Sequence, residues 1–114
     1  MYNQFYGYNS ETMTFEHRTK ADLNGKPITL TGNEGISPCN DGDVIFGVVS
    51  SQSRSYVSAQ ISGYVELPFT GDGVSVGYIK IAADGNGGIK ASENGKGVWV
   101  VRADAENHIA GFLL

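Results

Sequence analysis

Cysteine is almost missing from this chain. Of 114 residues only Cys39 carries a thiol, so an internal disulfide and a cysteine-rich zinc site are both ruled out. Histidine is nearly as scarce: His17 and His108 are the only two, and neither sits in a metal-ligand or triad motif. Basic residues number eight against twelve acidic ones, for a formal net charge of −4. They are scattered rather than gathered into the stripe that supplies affinity for a phosphate backbone, which argues against nucleic-acid binding. The acidic balance also discourages adhesion to anionic membranes. No apolar run approaches the roughly 20 residues that a bilayer-spanning helix needs. The first residues, Met1-Tyr2-Asn3-Gln4-Phe5-Tyr6-Gly7-Tyr8, lack a basic segment leading into an apolar stretch, so no secretory signal peptide is expected.

The composition is rich in hydrophobic residues, at 40%, and contains sixteen glycines with no fixed period. That combination fits a globular fold with many tight turns and few long helices. A chain of this length supports one ordinary core. Period-two alternation is the dominant signal. From Val57 to Leu67, residues Val57, Ala59, Ile61, Gly63, Val65 and Leu67 fall on one face, while Ser58, Gln60, Ser62, Tyr64 and Glu66 fall on the other. This predicts one strand with a single buried face. Met13 and Phe15, and then Ile28 and Leu30, alternate with polar partners in the same way. Val44 to Val49 is apolar on both faces and is expected to be a central strand. Val74 to Ile81 changes phase near Gly77, where a bulge is expected. Val98 to Val101 and Ile109 to Leu114 read as a closing pair of strands.

Asn24-Gly25, Asp41-Gly42, Asp72-Gly73, Asp84-Gly85, Asn86-Gly87 and Asn94-Gly95 punctuate these runs with turn chemistry. Turn signals about every 8–12 residues predict an all-β fold, a small antiparallel β-barrel or β-sandwich. Arg102 to Asn107 is the best helix candidate and is expected to form a loop or a single turn. The expected organisation is an aromatic-rich N-terminal arm, residues 1–11, followed by one β domain, residues 12–114.

Tests for chemistry mostly fail. The segment starting at Asp84 resembles the opening of a calcium loop, but Gly88 and Gly95 occupy positions where ligands are required. Asp41, Asp43 and Asp72 are candidates to share a cation only if the fold brings them together. No serine lies in a nucleophile elbow and no glycine run matches a P-loop. No catalytic residue, metal site or cofactor is therefore expected, and the chain is not expected to be an enzyme. Cys39 reads as a small residue in a turn. Trp99 is out of phase with Val98 and Val100, and packing into the core is the expected role. The alternative is an exposed ring on a carbohydrate-binding face, to which Tyr56, Tyr64 and Tyr78 could contribute. Tyr2, Phe5, Tyr6 and Tyr8 are the candidate partner-binding residues, because tyrosine is favoured at interfaces. A frayed end or a first edge strand stays open as the alternative for that segment.

One resemblance joins these segments. Gly42-Asp43-Val44-Ile45-Phe46-Gly47-Val48-Val49 is followed by Val57-Ser58-Ala59-Gln60-Ile61-Ser62-Gly63-Tyr64-Val65-Glu66-Leu67. After Gly71-Asp72-Gly73 and the turn from Asp84 come Val98-Trp99-Val100-Val101 and Ile109-Ala110-Gly111-Phe112-Leu113-Leu114. This order resembles the small head decoration, or capsid cement, proteins of tailed bacteriophages and prophages, over roughly residues 25–114. Trp99 and Phe112 depart from the smaller aliphatics usual in that family, and the aromatic arm has no counterpart in it. The resemblance implies a structural protein made in the bacterial cytoplasm and carried on the virion's capsid surface. Its partners would be the major capsid protein and two further copies of itself, in a homotrimer. A non-catalytic carbohydrate- or protein-binding β module is the alternative.

Overall fold

A computed structural model describes residues 11–16, 22–31 and 35–114. Among the described residues there is no helix; the chain forms ten strands in two antiparallel five-stranded sheets. The first sheet is built from β1 (Glu11–Glu16), β2 (Pro27–Leu30), β3 (Ile36–Pro38), β4 (Gly47–Gln52) and β5 (Tyr56–Ser62), in the order β1-β5-β4-β2-β3. The second holds β6 (Tyr64–Pro68), β7 (Gly77–Ala83), β8 (Ile89–Ala91), β9 (Lys96–Asp104) and β10 (Ile109–Leu113), in the order β6-β10-β9-β7-β8. The first half of the chain therefore makes one sheet and the second half the other.

The crossing point corrects one expectation. The alternating run from Val57 to Leu67 is two strands in different sheets, not one. Gly63 lies between them with φ of 94°, a backbone conformation that residues bearing a Cβ rarely adopt. The chain turns there while the alternation carries on across the break. Val57 and Ala59 enter one apolar cluster, with Phe15, Leu23, Ile28, Ile36 and Val49. Val65 and Leu67 enter the other, with Ile81, Val98, Val100, Ala110 and Phe112 among its members.

The doubly apolar run is shorter than expected, because β4 starts only at Gly47. Its burial has the expected cause, however: Val48 packs into the second cluster and Val49 into the first, so the strand is covered on both faces. Gly47 is required where β4 passes β5, since a Cβ there would sit 2.8 Å from the Gln60 carbonyl oxygen. In β2 the alternation is only half used; Ile28 is fully buried whereas Leu30 is exposed. The phase change near Gly77 comes at the entry to β7, where φ is 130°, and the β7–β9 register runs without a shift from Gly77 to Ile81. The segment Arg102–Asn107, expected to be a loop or a single turn, is the end of β9 followed by a tight turn. The Asp104 carboxylate accepts the backbone N–H groups of Glu106 and Asn107 in that turn. These bonds, with one from the Asn107 side chain, hold the Asp104 carboxyl below its ordinary value.

Candidate binding face

Alternation along the second sheet sends one set of side chains into the core and the other outward. On β6, β7, β9 and β10 the inward set includes Val65, Ile79, Val100 and Phe112. Opposite to these stand Tyr64, Tyr78, Trp99 and Leu113. Register then aligns the outward set: Tyr64 pairs with Leu113, Leu113 with Trp99, and Trp99 with Tyr78. Four neighbouring strands thus carry one continuous row of large side chains across the sheet's outer face. Trp99 and Tyr78 are each 58% exposed. Their ring centroids are 5.2 Å apart with planes inclined at 60°, a tilted pair that forms an angled cradle rather than a flat table.

Two glycines seat the tyrosines. The Tyr78 ring reaches diagonally onto β9 and covers Gly97, where any Cβ would collide with the phenol. The Tyr64 ring reaches onto β10 and covers Gly111 in the same manner. In each case the glycine lies two residues before the tyrosine's own cross-strand partner, within the diagonal reach expected of an aromatic side chain. The tyrosines therefore lean across the sheet instead of standing off it.

A bulge sets the polar margin. Between Val100 and Arg102 the β9–β10 register slips, leaving Val101 as the extra residue. The slip returns Arg102 to the outer face, opposite Gly111, while Ala103 turns to the core. Arg102 then approaches Glu66 at 3.4 Å, and the Tyr64 hydroxyl donates to the same carboxylate at 2.7 Å. Burial and the Glu66 carboxylate push the Tyr64 hydroxyl up to about 12, with Arg102 opposing. Lys80, opposite Gly97 on β7, is exposed beside Tyr78.

The other sequence-picked residues are dispersed. Tyr2, Phe5, Tyr6, Tyr8 and His17 lie outside the described residues. Tyr56 is exposed on β5 of the first sheet and is not part of the row. His108 occupies the β9–β10 turn with φ of 55°, its ring tilted against Phe69 at 5.5 Å. Cys39 is half-buried after β3; burial, then the charge of Asp43, pushes its thiol up to about 12. That environment opposes the thiolate a nucleophile needs. Asp41 pairs with Lys90 at 2.6 Å and Asp43 accepts the Asn40 N–H. They form no cation site with Asp72, and among the described residues no three or more His, Cys, Asp or Glu side chains come together as metal ligands. Asp84 closes a turn, its carboxylate accepting the N–H groups of Asn86 and Gly88.

Trp99 is the main correction at the level of single residues: expected in the core, it is exposed. Leu113, Gly97, Gly111 and the bulge at Val101 were missed. Gly97 shares its alternation phase with Trp99, and Gly111 shares its phase with Leu113, so glycines in the outward phase were the available signal. No family model matches the chain, and no curated protein is significantly similar to it.

Proposed function

We propose that this chain is a non-catalytic structural protein that binds the outer surface of an assembled bacteriophage or prophage head and stabilises it, acting as a homotrimer against the major capsid protein. The two sheets are read as the layers of a β-sandwich, because Ile45 and Val48 from the first half of the chain pack into one cluster with the second sheet. The observation that carries the functional reading is the order of the glycine-punctuated apolar segments. Those that resemble capsid cement proteins are the ones that supply β4, β5, β6, β9 and β10. Binding only the assembled lattice stabilises that lattice by mass action, and many copies on one shell add through multivalency. Among the described residues β1 is an edge strand, paired with β5 alone. An edge strand can pair with a neighbour's chain, and the proposed contact is the aromatic arm carrying Tyr2, Phe5, Tyr6 and Tyr8, which lies outside the described residues.

Co-sedimentation with assembled heads of the encoding phage tests this reading. The full chain pellets with heads, and a variant lacking Met1–Asn9 does so less. No pelleting of the full chain removes the reading. The Tyr64–Leu113–Trp99–Tyr78 row, exposed at Trp99 and Tyr78 and half-buried at Tyr64 and Leu113, favours a second reading, a carbohydrate- or protein-binding module.

A further inference from the structure

We infer that the outer face of the second sheet is a carbohydrate site, with the Tyr78–Trp99 cradle as its stacking platform and the Glu66–Arg102 pair as its polar margin. It gives the second reading its ligand and is independent of capsid docking through the arm. Three features point to a sugar.

The first is the seating of the rings. Two separate glycines, Gly97 and Gly111, leave room for Tyr78 and Tyr64 to lean over the backbone. The row carries a phenol at each end, Tyr64 and Tyr78, and a tilted indole, with Leu113 as its one aliphatic member. A pyranose has one face of C–H bonds, which suits an aromatic surface, and a rim of hydroxyls, which needs donors and acceptors.

The second is the margin. Glu66, Arg102 and the Tyr64 hydroxyl already form a hydrogen-bonded group at one end of the row. Carboxylate and guanidinium together offer acceptors and donors in fixed directions, the pattern that recognises sugar hydroxyls. Lys80 adds a cationic donor beside Tyr78. An open hollow lined by Val48 and Val65 as well as by Gln60, Tyr64, Glu66 and Arg102 adjoins that end.

The third is size. The row crosses three inter-strand steps, roughly 14 Å. That is the length of a short oligosaccharide and about half the side, roughly 28 Å, of a square patch of the roughly 800 Å² that each partner buries in a standard protein interface.

The chain's single tryptophan lies in the cradle, so its emission reports on occupancy directly. The test is fluorescence titration of the full chain with cello-, chito- and manno-oligosaccharides, together with affinity electrophoresis through gels containing the matching polysaccharides. At least one series shifts the emission saturably. The Tyr78→Ala variant weakens that binding by roughly tenfold, a change of about one good ring contact, and Trp99→Ala abolishes gel retardation. Tyr56→Ala, an exposed ring on the first sheet, binds as the parent does. Unchanged circular dichroism establishes that each variant is folded. The proposal is overturned if no series gives a saturable shift, or if Tyr56→Ala weakens binding as much as Tyr78→Ala. It is also overturned if Trp99→Ala instead abolishes self-association or head binding, since the face would then dock protein. A Trp99→Ala variant that loses glycan but still pellets with heads supports this site and leaves the capsid reading standing.

Discussion

Phe112 and Trp99 occupy opposite faces of the β9–β10 pair, and truncating each to alanine separates core from surface. Phe112 is fully buried, with Val65 and Val100 as its cross-strand partners. Neither valine can fill the space a phenyl ring leaves, so Phe112→Ala loses transfer energy and leaves a cavity, together about 3–5 kcal/mol. A chain of 114 residues has an unfolding entropy of about 0.24 kcal/mol per kelvin near its midpoint. The corresponding fall in Tm is roughly 12–20 °C. Trp99→Ala removes a larger side chain, but 58% of it already faces water. Its loss costs the tilted contact with Tyr78, about 1 kcal/mol, or roughly 4 °C. Thermal unfolding followed by circular dichroism, repeated in urea, reads both. Equal losses for the two variants would refute the placement of Trp99 outside the core, and with it the row across the second sheet.

Gly97→Ala places a methyl group under the Tyr78 ring. Because the obstacle is a side chain on the surface, the ring lifts at a stability cost of about 1 kcal/mol. The Trp99 emission maximum moves as its neighbour leaves, whereas an unchanged spectrum would contradict the seating described. Cys39 predicts an alkaline weakness. Its folded pKa, about 12, lies above the ordinary 9.0, so the protonated thiol's contribution is complete below pH 9 and is lost as pH rises toward 12. Tyr64 adds a loss of the same sign starting from its ordinary 10.0. Urea midpoints measured between pH 9 and about 11 should fall less steeply for Cys39→Ser than for the parent. Equal slopes would show that the thiol is not held protonated by the fold.

The all-β class was legible in the sequence because alternation and Asn-Gly or Asp-Gly turns are local signals. Phe15, Val57, Val65, Val98 and Val100 all face inward as their phase requires. The division into sheets was not legible. Periodicity is continuous across Gly63, and nothing in a two-residue repeat reports that the backbone turns there from one sheet to the other. β3 and β8, each three residues long, are too short for alternation to register. Trp99 was misplaced because hydrophobicity alone assigns a lone tryptophan to the interior. Its phase, opposite to Val98 and Val100, was the better guide. The binding row needed register as well as phase: Tyr64, Tyr78, Trp99 and Leu113 come from four strands, and only the pairing of β6, β10, β9 and β7 aligns them. The return of Arg102 to the outer face depends on a one-residue slip that no sequence pattern marks.

On the function proposed above, this fold works by adhesion to an assembled lattice. The most direct measurement of that adhesion is saturation binding of the full chain to expanded heads and, in parallel, to unassembled major capsid protein. The account predicts saturable binding to heads, with a fixed number of copies per capsid subunit, and at least about a hundredfold weaker binding to the free subunit, the differential that lets a ligand stabilise one state by mass action. Equal affinity for both forms, or no binding to heads at any concentration, would contradict it.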